Sequence, residues 1–212
     1  MTTIEDLNKL LVIAIINNQE SECEQLIKIG ADINYVDKTD INLLNIALMY
    51  FNYYNAYNLN IIKLLVDAGC DINNVNVYGN TPIMISIMFP RYEVFEYLLQ
   101  KDANVNHKNC NLQNVLFFVV RFVNKSYKLK YCDLLIDYGI DVLAIDKYGK
   151  RASEYCHDES EVYEYLKQKE EEREMLKTCF KRAQILEDDS YTDEETDDGE
   201  SEEILEEIYE EL

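Results

Sequence analysis

Histidine is nearly missing from this chain: of 212 residues, only positions 107 and 157 are histidine. A metal centre needs three or four convergent ligands at recognisable spacing. His107 makes an H-x-x-C pair with Cys110, and Cys156, His157 and Asp158 stand in a row, but neither set has companions. Three consecutive helical residues point in three directions, so that row cannot act as nucleophile, base and orienter among themselves. Glycine stops at six residues, and no G-x-x-x-x-G-K-[ST] loop is present to cradle a phosphate. These gaps point away from an enzyme, a metal site and a cofactor alike.

Cysteine occurs six times, always singly and without a C-x-x-C. That spacing gives no disulfide framework and fits a reducing, cytoplasmic compartment. No apolar run reaches 18 residues and no signal-peptide core stands near Met1, so neither a membrane span nor secretion by that route is expected. Basic residues are outnumbered, 20 Lys and Arg against 41 Asp and Glu, for a net charge of −21. A chain so charged repels a phosphate backbone, and nucleic acid is not an expected partner.

What the chain does have is a repeat. Gly-Ala-Asp-Ile-Asn from Gly30 returns as Gly-Cys-Asp-Ile-Asn from Gly69, as Asp-Ala-Asn-Val-Asn from Asp102 and as Gly-Ile-Asp-Val from Gly139. The starts lie 39, 33 and 37 residues apart, a unit of 33 with surpluses of 6 and 4; such a period builds solenoids. The small residues Ala14 and Ser86 stand 16 positions before Gly30 and Asp102, but Ala47 stands 22 before Gly69 and Val119 stands 20 before Gly139. Both surpluses therefore fall between the two helices of their repeats. Leu10, Leu11, Ala14 and Ile15 recur at one-face helical spacing, as do Ile61, Ile62, Leu64, Leu65 and Val66, with Gly30 or Gly69 just past the helix end. Asp32, Asp71 and Asp141, followed by Asn34 and Asn73, carry side chains suited to bonding the turn backbone. A helix pair this small cannot bury its apolar face alone, so neighbours must stack. Cys70 and Cys156 stand where the unit wants a small residue, which gives them a packing role.

The other half of the unit names it. Asn76-Val-Tyr-Gly-Asn-Thr-Pro-Ile matches the ankyrin pattern D-x-x-G-x-T-P-L, and on this motif and the period the chain resembles the ankyrin-repeat family over residues 4–168. Met84 replaces the histidine of the family's Thr-Pro-Leu-His, the fourth repeat reads Asn-Val-Leu-Phe from Asn114, and the fifth, from Asp146, is expected to have a shortened second helix. The resemblance implies an all-α solenoid of about five helix-turn-helix repeats with hairpin connections. It also implies a protein partner met by the hairpin tips and the inner helices of the concave side. Carried over by position, the tip residues are Lys38, Thr39 and Ile41, then Val77, Tyr78 and Asn80, then Cys110, Asn111 and Gln113, then Lys147, Tyr148 and Lys150. Tyr78 and Tyr148 are the expected anchors, because tyrosine brings a large contact area with a polar end at low entropy cost.

The two surpluses put an aromatic insertion at 50–57 and a basic, aromatic one at 121–131, on the edge opposite the tips. Residues 160–184 read as a C-terminal capping helix that covers the last repeat, since terminal repeats need a polar outer face. Residues 187–212 hold 15 of the 41 acids and no base, a like-charge block expected to be an acidic disordered tail. Within it Ile204, Leu205, Ile208, Tyr209 and Leu212 recur at helical spacing, the pattern of a segment that docks in a groove. Ser190 and Thr192 each have an acid three residues on, resembling substrates of acid-directed kinases. The last four residues, from Tyr209, resemble the ligands of Src-family SH2 domains, so a phosphorylated Tyr209 implies an SH2-containing protein as partner.

Plentiful Asn, Ile, Lys and Tyr with little Ala, Gly and Pro fits an AT-rich genome. Large DNA viruses and intracellular bacteria carry many such ankyrin proteins, which implies a host-directed effector. The reading is a non-enzymatic protein–protein interaction module. Its rivals are a self-associating assembly component and an enzyme whose site lies in the divergent C-terminal repeats around His157.

Overall fold

The segments after Thr81 and Asn114 carry almost no polar side chains, and both form short helices buried all round up to Ile87 and Val120. A helix apolar all round needs neighbours all round. The computed structural model describes residues 3–36, 41–50, 59–88, 92–156 and 160–189. In it the chain runs through α1 (Ile4–Ile16), α2 (Glu20–Lys28), α3 (Leu43–Tyr50), α4 (Leu59–Asp67), α5 (Pro82–Met88), α6 (Tyr92–Gln100), α7 (Val115–Phe122) and α8 (Lys125–Asp137). A 3-10 turn (Ala152–Tyr155) and α9 (Ser160–Asp189) follow. The inner helices α1, α3, α5 and α7 and the 3-10 turn stack in file, while α2, α4 and α6 stack behind them. Between the two files lies one core, from Leu11 and Ile15 through Leu44, Ile62, Met84 and Phe95 to Leu135 and Leu166. Among the described residues there is no β-strand, only two isolated bridges at the first and last hairpin connections, Val36 to Asn42 and Ile145 to Arg151.

Why Gly-Ala-Asp-Ile-Asn recurs is now visible atom by atom. Gly30, Gly69 and Gly139 follow the outer helices at positive φ, and Asp102 adopts the same conformation at φ 60. The next residue, Ala31, Cys70, Ala103 or Ile140, is buried in the core. Burial pushes the Cys70 thiol up to about 11 and that of Cys23 up to about 12, as expected of packing thiols without nucleophilic use. The third residue folds its side chain onto the backbone: the amides of Asn34, Asn73, Asn106 and Leu143 donate to Oδ1 of Asp32, Asp71, Asn104 and Asp141 at 2.9 to 3.1 Å. The fifth residue reaches across to the next repeat. Oδ1 of Asn34, Asn73 and Asn106 accepts from the amides of Asp71, Asn104 and Asp141 at 3.0, 2.9 and 2.6 Å, and Asn8 does the same for Asp32 at 2.8 Å. The turn role expected of the aspartates holds; the asparagines instead join one repeat to its neighbour.

Four sequence expectations need correction. The surplus of four in repeat four is a turn of helix added to α8, which has 13 residues where α2, α4 and α6 have 9. Four residues are close to one 3.6-residue turn, and Asn124 caps the lengthened helix through the Ser126 amide. Its basic, aromatic stretch is therefore partly inside: Lys128 is buried with Nζ donating to the Val120 carbonyl at 2.6 Å, and Tyr131 packs against Tyr92 and Phe95. In the fifth repeat the first helix, not the second, is shortened. It is the 3-10 turn, and α9 runs for 30 residues. Last, Leu10 is 45% exposed and stands off the buried stripe of α1. The insertion at 50–57, apart from the end of α3, lies outside the described residues, as do Lys38, Thr39, His157, Asp158 and the segment holding Ser190, Thr192, Ile204, Leu205, Ile208, Tyr209 and Leu212.

Candidate functional site

Three hairpin tips are built on one plan. In each, the first residue accepts two backbone amides on one oxygen: Asn76 from Tyr78 and Asn80, Asn109 from Asn111 and Gln113, Asp146 from Tyr148 and Lys150, at 2.9 to 3.1 Å. The fourth residue takes positive φ: Gly79 and Gly149 at 73 and Leu112 at 60. Leucine there costs about 1–2 kcal/mol of backbone strain. The tips are then laced together. Cys110 donates its amide to the Tyr78 carbonyl at 3.1 Å and Lys147 donates to Asn111 at 2.9 Å. Asn109 Nδ2 donates to Asn80 Oδ1 at 2.8 Å and Gln113 Nε2 to Asp146 Oδ2 at 3.5 Å. His107 Nε2 meets the Gly79 carbonyl at 3.0 Å, so it serves the tip.

Asp146 anchors the last tip. Burial opposes its ionisation, but hydrogen bonds from Tyr155 at 2.5 Å, the Lys150 and Tyr148 amides and Gln113 outweigh it and hold the carboxyl below its usual value. The same bond to Asp146, with burial and the carboxylate charge behind it, pushes the Tyr155 hydroxyl up to about 12.

With the backbone so fixed, the remaining tip side chains point outward. Tyr78 and Tyr148 are 69% and 70% exposed, Val77 is 63% exposed, and Lys147 and Lys150 are also exposed. Ile41 is half-buried. Asn80 and Gln113 are largely buried, held by the bonds between tips. Beside the middle tips a groove of about 250 Å³ runs onto the inner helices, lined by Tyr78, Asn111, Met88, Phe118, Arg121 and Phe122 among others. Met88, Arg121 and Phe122 were not singled out from the sequence as groove residues. Met88 and Arg121 follow Ser86 and Val119 by two places, the same register in adjacent repeats, and that register was the available signal. Among the described residues no three His, Cys, Asp or Glu side chains stand together as a metal site, and no helix is long and apolar enough to cross a membrane.

Comparison with known proteins agrees with this architecture. The family model described as ankyrin repeats in three copies matches residues 10–109. An ankyrin repeat protein of Acanthamoeba polyphaga mimivirus is 35% identical over 112 residues, 50% of this chain and 68% of that protein. Alpha-latrotoxin-Lg1a of Latrodectus geometricus is 30% identical over 116 residues, 52% of this chain, and an ankyrin repeat protein of Fowlpox virus is 30% identical over 92 residues, 43% of this chain. The shared stretches span only 8% of the latrotoxin and 15% of the fowlpox protein. The recurring unit, the stacked helix pairs, the laced tips and the viral relative matched over two thirds of its length place the chain in the ankyrin-repeat family.

Proposed function

We propose that this chain is a non-enzymatic module that binds a protein partner across its hairpin tips and the adjoining concave groove. One observation carries the reading: tip backbones fixed by buried Asn and Asp side chains hold Tyr78 and Tyr148 about 70% exposed, and Tyr78 edges a groove with an aromatic wall and a cation, Arg121. Large aromatics on a backbone already fixed have only two side-chain torsions left to order on binding, which suits interface anchors. Lys147 and Lys150 flank Tyr148 and favour a partner with acidic residues near its contact point. A role on host proteins is the finer part of the proposal, and it is motivated only by the viral source of two relatives, from mimivirus and fowlpox. Phosphorylation at Ser190, Thr192 or Tyr209, with docking of the tail on an SH2-containing protein, rests on sequence motifs and forms a second, separable contact.

The test is photo-crosslinking in candidate host lysate with benzoylphenylalanine at position 78, at 148, or at 127. Position 127 lies on the exposed start of α8 at the other edge of the solenoid. A specific adduct from 78 and 148 and none from 127 supports the reading. Adducts from 127 alone would move the interface to the opposite edge.

A further inference from the structure

The far half of α9 exposes an apolar stripe whose chemistry matches one segment of the same chain. The near half is docked: Val162 and Leu166 are buried, and Arg151 of the last repeat holds Glu170 at 3.1 Å and also bonds Glu174. Beyond that clamp Met175 and Phe180 are 58% and 61% exposed, with Leu176 and Cys179 half-buried between them. Two large apolar groups on one exposed helix face leave apolar surface in water that a cover would bury. Its rim is basic. Arg173, Lys177, Lys181 and Arg182 are all exposed, and the one acid between 173 and 182, Glu174, is tied to Arg151.

We infer that residues 202–212 fold as a second helix along this face of α9. Ile204, Leu205, Ile208, Tyr209 and Leu212 recur at the spacing of one helical face, and every charge among them is negative: Glu202, Glu203, Glu206, Glu207, Glu210 and Glu211. An apolar stripe edged with acid then meets an apolar stripe edged with base, in the manner of an amphipathic helix on its groove. Reach is sufficient. Residues 190–201 extend up to about 40 Å, and the return from the end of α9 to Met175 is about 21 Å at the helical rise. A second copy of α9 is the poorer cover, because it would set the same four cations against themselves.

The test places benzoylphenylalanine at position 209 of the full chain, irradiates it in dilute solution and maps the adduct by digestion. The expected product is an intramolecular link to residues 173–183. It disappears in the full-length double variant Met175→Ser, Phe180→Ser, whose substitutions lie at exposed positions and leave the thermal unfolding of the repeats unchanged, and it weakens in high salt. Links between chains would make a second copy the occupant, and links to the tips or groove would place the tail elsewhere. Either result overturns the inference, as does the absence of any adduct.

Discussion

Gly79 and Gly149 hold the same place in two tips and share φ 73, yet their surroundings differ. A Cβ on Gly79 would stand 2.9 Å from the Cys110 amide nitrogen and 3.1 Å from its Sγ, whereas one on Gly149 meets nothing within 4 Å. Gly149→Ala should therefore cost only left-handed strain, about 1 kcal/mol, and Gly79→Ala about 2–3 kcal/mol because the neighbouring tip must also move. Urea unfolding of the two variants checks this, and equal losses would mean that the middle tips are not laced as described. Asp146 gives a pH prediction of definite sign. Its folded pKa lies below the usual 3.8, so its contribution is complete above that value and fades as pH falls through the lower folded value. Asp146→Asn should flatten this acid limb of the stability curve. An unchanged limb would show that the carboxylate is not held by its four donors.

At the scale of elements, the period and the turn glycines were legible because they answer to local chemistry. The inter-repeat role of Asn34, Asn73 and Asn106 was not: within one unit each looks like another turn residue, and its partner amide is 31 to 37 positions away. The length of α8 was hidden for a similar reason, since four added residues read equally as a longer turn or as one more turn of helix. Asn73→Ala should lower stability by about 1 kcal/mol and speed hydrogen exchange at the Asn104 amide more than at Asp71 or Asp141. Uniform acceleration would make the ladder incidental. The clamp on α9 was equally invisible, because Arg151 and Glu170 lie in a charged stretch that reads as surface. Glu170 is nonetheless 2% exposed, with Arg151 at 3.1 Å and Lys167 at 2.9 Å. Arg151→Met should cost roughly 2–3 kcal/mol, less than breaking a fully buried pair because Lys167 remains, and should free the start of α9 in exchange measurements. A loss confined to a few tenths would contradict the clamp.

For the molecule as a whole, charge divides the chain: every Lys and Arg lies at or before Arg182, and 15 of the 41 acids lie from Glu187 on. A nearly balanced body that presents tyrosines and lysines is joined to a segment of one sign. The tip tyrosines were legible because the tip motif fixes their place by number. Met88 and Phe122 were not, because both end apolar runs and only the packing of neighbouring repeats decides which residue of such a run faces the groove. The central claim is that the tips and the groove are one binding face. Its most direct test is a calorimetric titration of the crosslinked partner, once purified, against the parent chain and against Tyr78→Ala, Tyr148→Ala. Loss of about 2–4 kcal/mol, roughly 30-fold to 1,000-fold in affinity, with helical circular dichroism unchanged, is the predicted result. Equal affinity for the two chains would contradict it.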